Sequence, residues 1–300
     1  MKRLGLLATG LLLLDLAVAS AQQLEPRAYS PSPAGLNFVG LPYTYQTGSV
    51  ITDPSLPIQD VNAKVNTVTP FYVHTFGFLG RSASAALALP YVWATASGRV
   101  FEEARSVSRS GQGDMQIRLV SNLLGGPALT PEEFARTPQQ TTLGASLVVS
   151  MPTGQYDGTR LINIGTNRWA FRPEIGLSHP VGRWTFDLYA GGWFYTANDN
   201  FFGGFRRTQD PLFVLQAHVG YTFLRSGLWL ALDGCWYAGG QTSLDGVLNA
   251  DRQDNTRIGA TLAVPLGHGQ SLKAAWARGA TVRFGQNFTT LIVTYQYRFF

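Results

Sequence analysis

Few residues in this chain could do chemistry, and their spacing narrows what that chemistry is. The four histidines, His74, His179, His218 and His268, are scattered, and none stands beside a clearly placed serine. Nucleophilic catalysis needs a nucleophile, a base and an orienting group within hydrogen-bond reach, a constellation the sequence does not show. His268 lies in a "GHG" turn and Cys235 is the single cysteine, so neither a metal cluster nor a disulfide framework is expected. We expect no catalytic residue, no metal and no cofactor. The chemistry on offer is ionic. In NRWAFRPEIGL, residues 167–177, Arg168, Arg172 and Glu174 share one parity while Trp169, Phe171, Ile175 and Leu177 share the other. Alternation of this kind marks a β-strand with two unlike faces, and the question is which face lies inside.

The same alternation recurs along the chain. Stretches such as ASAALALPYVW, GDMQIRLVSNLL, LFVLQAHVGYTF and TLIVTYQYRFF bring the strands to twelve. Long links (48–62, 94–112, 153–166, 196–210, 239–254 and 279–287) alternate with tight ones such as GFLGR, HPVG, LRSG and LGHGQ. The one long link on the tight side holds LTPEEF, where Thr130, Pro131 and Glu133 read as a capping box for a short helical plug or turn. Long loops on one side and tight turns on the other are the pattern of outer-membrane barrels. No helical segment is available to cover a second sheet face. The predicted fold class is therefore all-β, a 12-stranded antiparallel transmembrane β-barrel with apolar residues toward lipid and charges toward a lumen. A soluble sandwich would reverse the faces and leave the loop asymmetry unexplained.

On the lumen face then fall Asp114, Arg118, Asn122, Arg168, Arg172, Glu174, Arg183, Asp187, Gln216, His218, Asp233, Arg257 and Lys273. The HPVG turn is expected to set Arg172 opposite or diagonal to Asp187, and Glu174 near Arg183. A two-residue turn at Arg225 and Ser226 pairs His218 with Asp233. Such pairs either brace a narrow lumen or act on what enters it.

Lys2 and Arg3, the apolar run after them and Ala19-Ser20-Ala21 read as a cleaved signal peptide over 1–21. A short periplasmic segment over 22–35 and the barrel over 36–300 follow. The apolar run is too short for a spanning helix, which needs about 20 residues. Charged residues make up 14% of the chain, sparse against the ~25% of ordinary soluble domains. The net charge of +5 comes from scattered arginines in an exported chain, which argues against nucleic acid.

Trp93, Trp169, Trp184, Phe194 and Trp236 fall near strand ends, where aromatic girdles meet lipid headgroups. Tyr295, Tyr297 and Phe299 alternate on the last strand and look like the signal read by the barrel-assembly machinery, with Phe300 one residue beyond. In the loops, NDNFFGGFRRTQD sets Phe201 and Phe202 beside Arg206 and Arg207, and Tyr156 stands in another long link. That cluster suits an aromatic ligand, a loop folded into the lumen or lipopolysaccharide phosphates equally well.

The segments EPRAYSPSPAGLNFV, GDMQIRLVSNLLGGPALTPEEF, PTGQYDGTRLINIGTNRWAFRPEIGLSHPVGRWTFDLYAGGWFYTAND and YAGGQTSLDGVLNADRQDNTRIGATLAVPLGHGQSLKAAWARG resemble the outer-membrane family labelled "putative MetA-pathway of phenol degradation". The resemblance covers nearly the whole mature chain. It implies a transporter of the Gram-negative outer membrane associated with aromatic catabolism, and it carries over no catalytic residue. The expected role is passive, binding-assisted passage of small aromatic or hydrophobic molecules along the lumen-facing residues. The expected partners are membrane lipid and lipopolysaccharide, the assembly machinery and the solute. The alternative is a closed structural or adhesive barrel, its lumen salt-bridged shut and its loops binding surface partners; a surface lipid enzyme is a third reading.

Overall fold

The computed structural model describes residues 24–51, 58–100, 103–223 and 227–300. The expected signal peptide and the turn at Arg225 and Ser226 lie outside the described residues. The wall consists of β1 (Asn37–Ile51), β2 (Ile58–Val68 and Phe71–Phe78), β3 (Arg81–Ala88 and Tyr91–Val100) and β4 (Glu103–Gln112 and Gln116–Leu124). It continues through β5 (Thr142–Ser150), β6 (Ala170–Val181), β7 (Trp184–Tyr195) and β8 (Leu212–Thr222). β9 (Trp229–Gly239), β10 (Gln253–Gly267), β11 (Gln270–Thr281) and β12 (Gly285–Phe299) complete it. Each strand pairs antiparallel with the next, and β12 returns to β1 from Asn37↔Phe299 to Ile51↔Gly285. This return closes the wall, as a sheet in lipid requires, while the outer half of β4, Glu103–Gln112, pairs with β3 alone.

β2, β3 and β4 each break midway, at neighbouring heights. Proline has no N–H for the ladder, so Pro70 and Pro90 interrupt it. The flanking residues bridge the breaks: Thr69 N–H donates to Pro42 O (3.1 Å), Leu89 to Pro70 O (3.0 Å) and Gly113 to Pro90 O (2.8 Å). Beyond the breaks the strands continue well past their expected ends. Most of 94–112, read from sequence as a loop, is paired strand from Tyr91↔Gln112 to Val100↔Glu103. The side chains of Glu103–Gln112 are mostly polar and exposed, so the alternation that marks a bilayer-facing strand is missing there.

The faces are inside out relative to a soluble sandwich. Ile175 is 56% exposed on the outer surface, while Arg172 and Glu174 beside it on β6 are 2% and 4% exposed within. Trp93, Trp169, Trp184, Phe194 and Trp236 are all exposed outward, as are Tyr295, Tyr297 and Phe299. Between β4 and β5, α1 (Pro131–Arg136) carries the expected capping box. Hydrogen bonds from the Thr130 backbone and hydroxyl hold the Glu133 carboxyl below its usual range. No residue of α1 is buried, so this helix is an exposed cap and not a plug.

What enters the lumen instead is the segment that precedes β1. Residues 24–36, which fall largely in the stretch 22–35 expected as a short periplasmic segment, run into the barrel at its tight-turn end. Ala34 N–H donates to Leu129 O (2.8 Å), and Leu36 N–H to Thr75 Oγ1 (2.9 Å), which ties the segment to the wall before β1 begins.

Candidate functional site: the lumen

Glycines on the inner wall make room for that segment. Gly144 and Gly176 face each other across β5 and β6, and the Tyr29 ring lies over both. A Cβ at Gly176 would fall 2.1 Å from the ring, and one at Gly259 would fall 2.5 Å from Leu24 Cδ1. Tyr29 packs edge-on to Tyr189 at 4.9 Å, shares a hydrogen bond with Ser146 Oγ (2.8 Å) and donates to Glu174 Oε1 (2.9 Å). The Arg27 N–H donates to Asp187 Oδ2 (3.0 Å), and its guanidinium lies 4.7 Å from the Trp229 ring.

Above Tyr29, an ionic cluster spans the lumen. Arg118 on β4 pairs with Glu25 and lies 3.9 Å from Glu174 Oε1. Arg172 reaches Glu25 at 3.7 Å and Glu174 at 3.9 Å, and its guanidinium covers Trp193 at 5.4 Å. The expected Arg172–Asp187 and Glu174–Arg183 pairs do not form. β6 and β7 stay paired to Val181↔Trp184, so Asp187 faces Ser178 and Glu174 faces Gly191. Pro180, which suggested an earlier turn, sits inside the ladder opposite Thr185. Arg183 is likewise not a lumen residue: it is exposed at the turn, with Nη1 3.5 Å from Tyr221 Oη.

His218 does meet Asp233, Nδ1 to Oδ1 at 2.7 Å, and Thr261 Oγ1 donates to Asp233 Oδ2 (2.8 Å). Gln216 faces inward opposite Cys235, and Arg257 donates to Phe288 O (3.2 Å) and Thr290 Oγ1 (2.9 Å). Lys273 faces inward from β11, opposite Thr294. Near the outer mouth, Arg168 donates to Gln209 Oε1 (2.6 Å) and covers the Tyr195 ring at 4.4 Å. Asn122, at the other end, is buried beside Gly126 and Gly144.

The loop between β5 and β6 folds inward over this mouth, held by Asp114. That carboxylate accepts from Gly154 N–H (2.8 Å), Thr166 N–H (2.9 Å) and Thr166 Oγ1 (2.6 Å). Ile164 of the loop packs into a cluster with Val50, Val61, Val65, Val92 and Phe288. At its tip the Thr159 hydroxyl and N–H hold the Asp157 carboxyl below its usual range.

The expected loop cluster is divided by the sheet it belongs to. Asn198–Phe201, Phe205–Gln209, Thr242–Leu244 and Val247–Leu248 form a small separate sheet. Phe201 and Arg207 are buried together at 5.3 Å, whereas Arg206 is exposed and pairs with Asp199 at 2.8 Å. Phe202 is half-buried, and Tyr156 donates to Asn200 O (3.0 Å). Alternation places Arg206 and Arg207 on opposite faces, so these two do not share a surface.

Between the N-terminal segment and the outer loop lies a cavity of about 360 Å³, reached by Glu25 from below and by Thr166 from above. Phe71, Val73, Val92 and Ile292 give it apolar lining; Arg118, Arg172, Lys273 and Asp114 give it charge. Its volume lies within the ~300–1,000 Å³ usual for small-molecule sites. Trp193 also lines it, a residue the sequence reading left unassigned although its parity matches Asp187 and Tyr189.

A family model described as "Putative MetA-pathway of phenol degradation" matches residues 42–294. No curated protein matches in sequence. The crystal structure of the COG4313 outer membrane channel from Pseudomonas putida F1 superposes with a TM-score of 0.79 at 22% identity, covering 92% of this chain and all (100%) of that one. The beta domain of the Bordetella autotransporter Brka gives 0.51 at 14%, covering 89% of this chain and 100% of that chain. The transport unit of the autotransporter AIDA-I from Escherichia coli gives 0.51 at 11%, covering 98% and 96%. At these identities the likeness is one of fold, that of a barrel of the outer membrane.

Proposed function

We propose, from the premise that this chain belongs to the family described as "Putative MetA-pathway of phenol degradation", that it is an outer-membrane channel for passive passage of small molecules with an aromatic or hydrophobic body. The observation that carries this reading is the cavity. It sits inside a barrel whose outer face is apolar, and it joins an apolar lining to fixed charges. A solute with an aromatic body and a polar end would find both kinds of contact there. The lumen-facing residues Asp114, Arg118, Arg168, Arg172, Glu174, Asp187, Gln216, His218, Asp233, Arg257 and Lys273 would border its route. The reading is of transport and not of catalysis.

On the same reading, Tyr295, Tyr297 and Phe299 present the signal for the barrel-assembly machinery, and exposed loop arginines such as Arg206 meet lipopolysaccharide phosphates. A closed structural barrel is the second reading, favoured by how much of the lumen residues 24–36 fill. Phenol entry into lipopolysaccharide-bearing proteoliposomes, followed by stopped flow, separates the two. Entry faster than into protein-free vesicles, and slowed by a competing phenol, is the expected result. Equal rates would leave the closed barrel standing.

A further inference from the structure

We infer that Arg118, Arg172 and Lys273 form a carboxylate-binding subsite which the chain's own Glu25 occupies as a displaceable internal ligand, and that its external ligand is a small aromatic monocarboxylate. Arg118 and Arg172 face two carboxylates, Glu25 and Glu174, of which only Glu174 belongs to the barrel wall, and Lys273 lines the same cavity within electrostatic reach of Glu25 and of Asp233. Glu25 reaches Arg118 directly and Arg172 at 3.7 Å, but it arrives on a segment that is not a strand. Lys273, on the cavity wall, makes no ion pair within 4 Å among the described residues, and Glu25 and Asp233 act on it at longer range.

Donor capacity is also left over. Nε of Arg118 and both Nε and Nη1 of Arg172 are buried without a hydrogen bond among the described residues, although Arg172 is 2% exposed. Buried guanidinium N–H groups without acceptors are costly, so a carboxylate able to take more of them is favoured. The rest of the cavity selects the body of that ligand. Trp193 lies under Arg172, and Phe71, Val73 and Ile292 supply apolar surface.

Glu25 competes for the subsite from within the molecule, so it lowers the apparent affinity for an external carboxylate by the fraction of time it holds the site. The proposal rests on the channel reading only for the claim that the ligand is cargo; binding does not require flux.

Isothermal titration of the full mature protein in detergent with benzoate, and separately with neutral phenol, tests it. For Glu25→Gln the expected result is a benzoate Kd lower by about tenfold, with the phenol Kd moving by less than about twofold. Adding Lys273→Met to that variant should return the benzoate Kd toward wild type. Among the described residues Lys273 makes no ion pair within 4 Å whose loss would unfold the barrel. Equal benzoate affinity in wild type and Glu25→Gln, including no binding to either, overturns the proposal. So does a parallel gain by phenol. Benzoate binding without solute entry into vesicles would instead refute the channel reading and leave the subsite intact.

Discussion

Replacing Asp114 by alanine is expected to release the loop between β5 and β6 from the mouth of the barrel. The carboxylate accepts from Gly154 N–H, Thr166 N–H and Thr166 Oγ1, at 2.8, 2.9 and 2.6 Å. A hydrogen bond to a charged group contributes about 1.5–3 kcal/mol net of exchange with water, so losing all three weakens closure by at most ~4.5–9 kcal/mol. Ile164 then leaves its cluster with Val50, Val61, Val65 and Phe288. Amide hydrogen exchange reads this directly: protection at Gly154 and Thr166 should collapse in Asp114→Ala while the β5–β6 ladder amides keep theirs. Unchanged protection at those amides would show that the loop is held by something other than Asp114.

Gly176→Ala should expel the N-terminal segment without harming the wall. Its Cβ would lie 2.1 Å from Tyr29 Cδ2 and Cε2 and 2.7 Å from Tyr189 Cδ1, so the Tyr29 ring cannot remain. Overpacking of this kind costs about 1–3 kcal/mol, and the lost hydrogen bonds to Ser146 and Glu174 add ~1 kcal/mol each. The wall strands pair with one another and not with residues 24–36, so the barrel itself should melt as before. Trypsin reports the outcome through Arg27, whose guanidinium is held by Thr222 Oγ1 (2.6 Å) and stacked on Trp229. Cleavage there should appear in Gly176→Ala and in Tyr29→Ala, and be absent in wild type. Resistance in both variants would contradict the docking described for Tyr29.

The wall was legible because lipid and lumen impose opposite demands on alternate residues. Trp169, Phe171 and Ile175 against Arg168, Arg172 and Glu174 is enough to assign both faces. The His218–Asp233 pair followed from a short turn with the right count of residues. The Arg172–Asp187 pair failed for the complementary reason. A proline near a strand end looks like a turn, yet Pro180 lies in the ladder beside the end, where one missing donor matters little. Outside the bilayer the alternation ends, so the strand extensions over 94–112 looked like loop.

The course of the N-terminal segment was missed because its contacts are remote in sequence and the room for it is made by residues without a side chain. Gly144 and Gly176, paired on the inner face and flanked there by Ser146 and Glu174, were the available signal. A facing pair of glycines on a lumen wall marks space that something else fills. The loop residues Phe201, Phe202, Arg206 and Arg207 misled in the opposite sense. Adjacency in sequence suggested a cluster, but a strand sends Arg206 and Arg207 to opposite faces.

The central claim is that a solute route runs through the lumen cavity and is narrowed by residues 24–36. Single-channel conductance of the refolded protein in a planar bilayer, with and without phenol, tests it most directly. The account predicts small discrete openings in wild type, larger ones in Gly176→Ala, and reduction of both by phenol. Silence from wild type and variant alike, with circular dichroism showing folded β-structure, would contradict it.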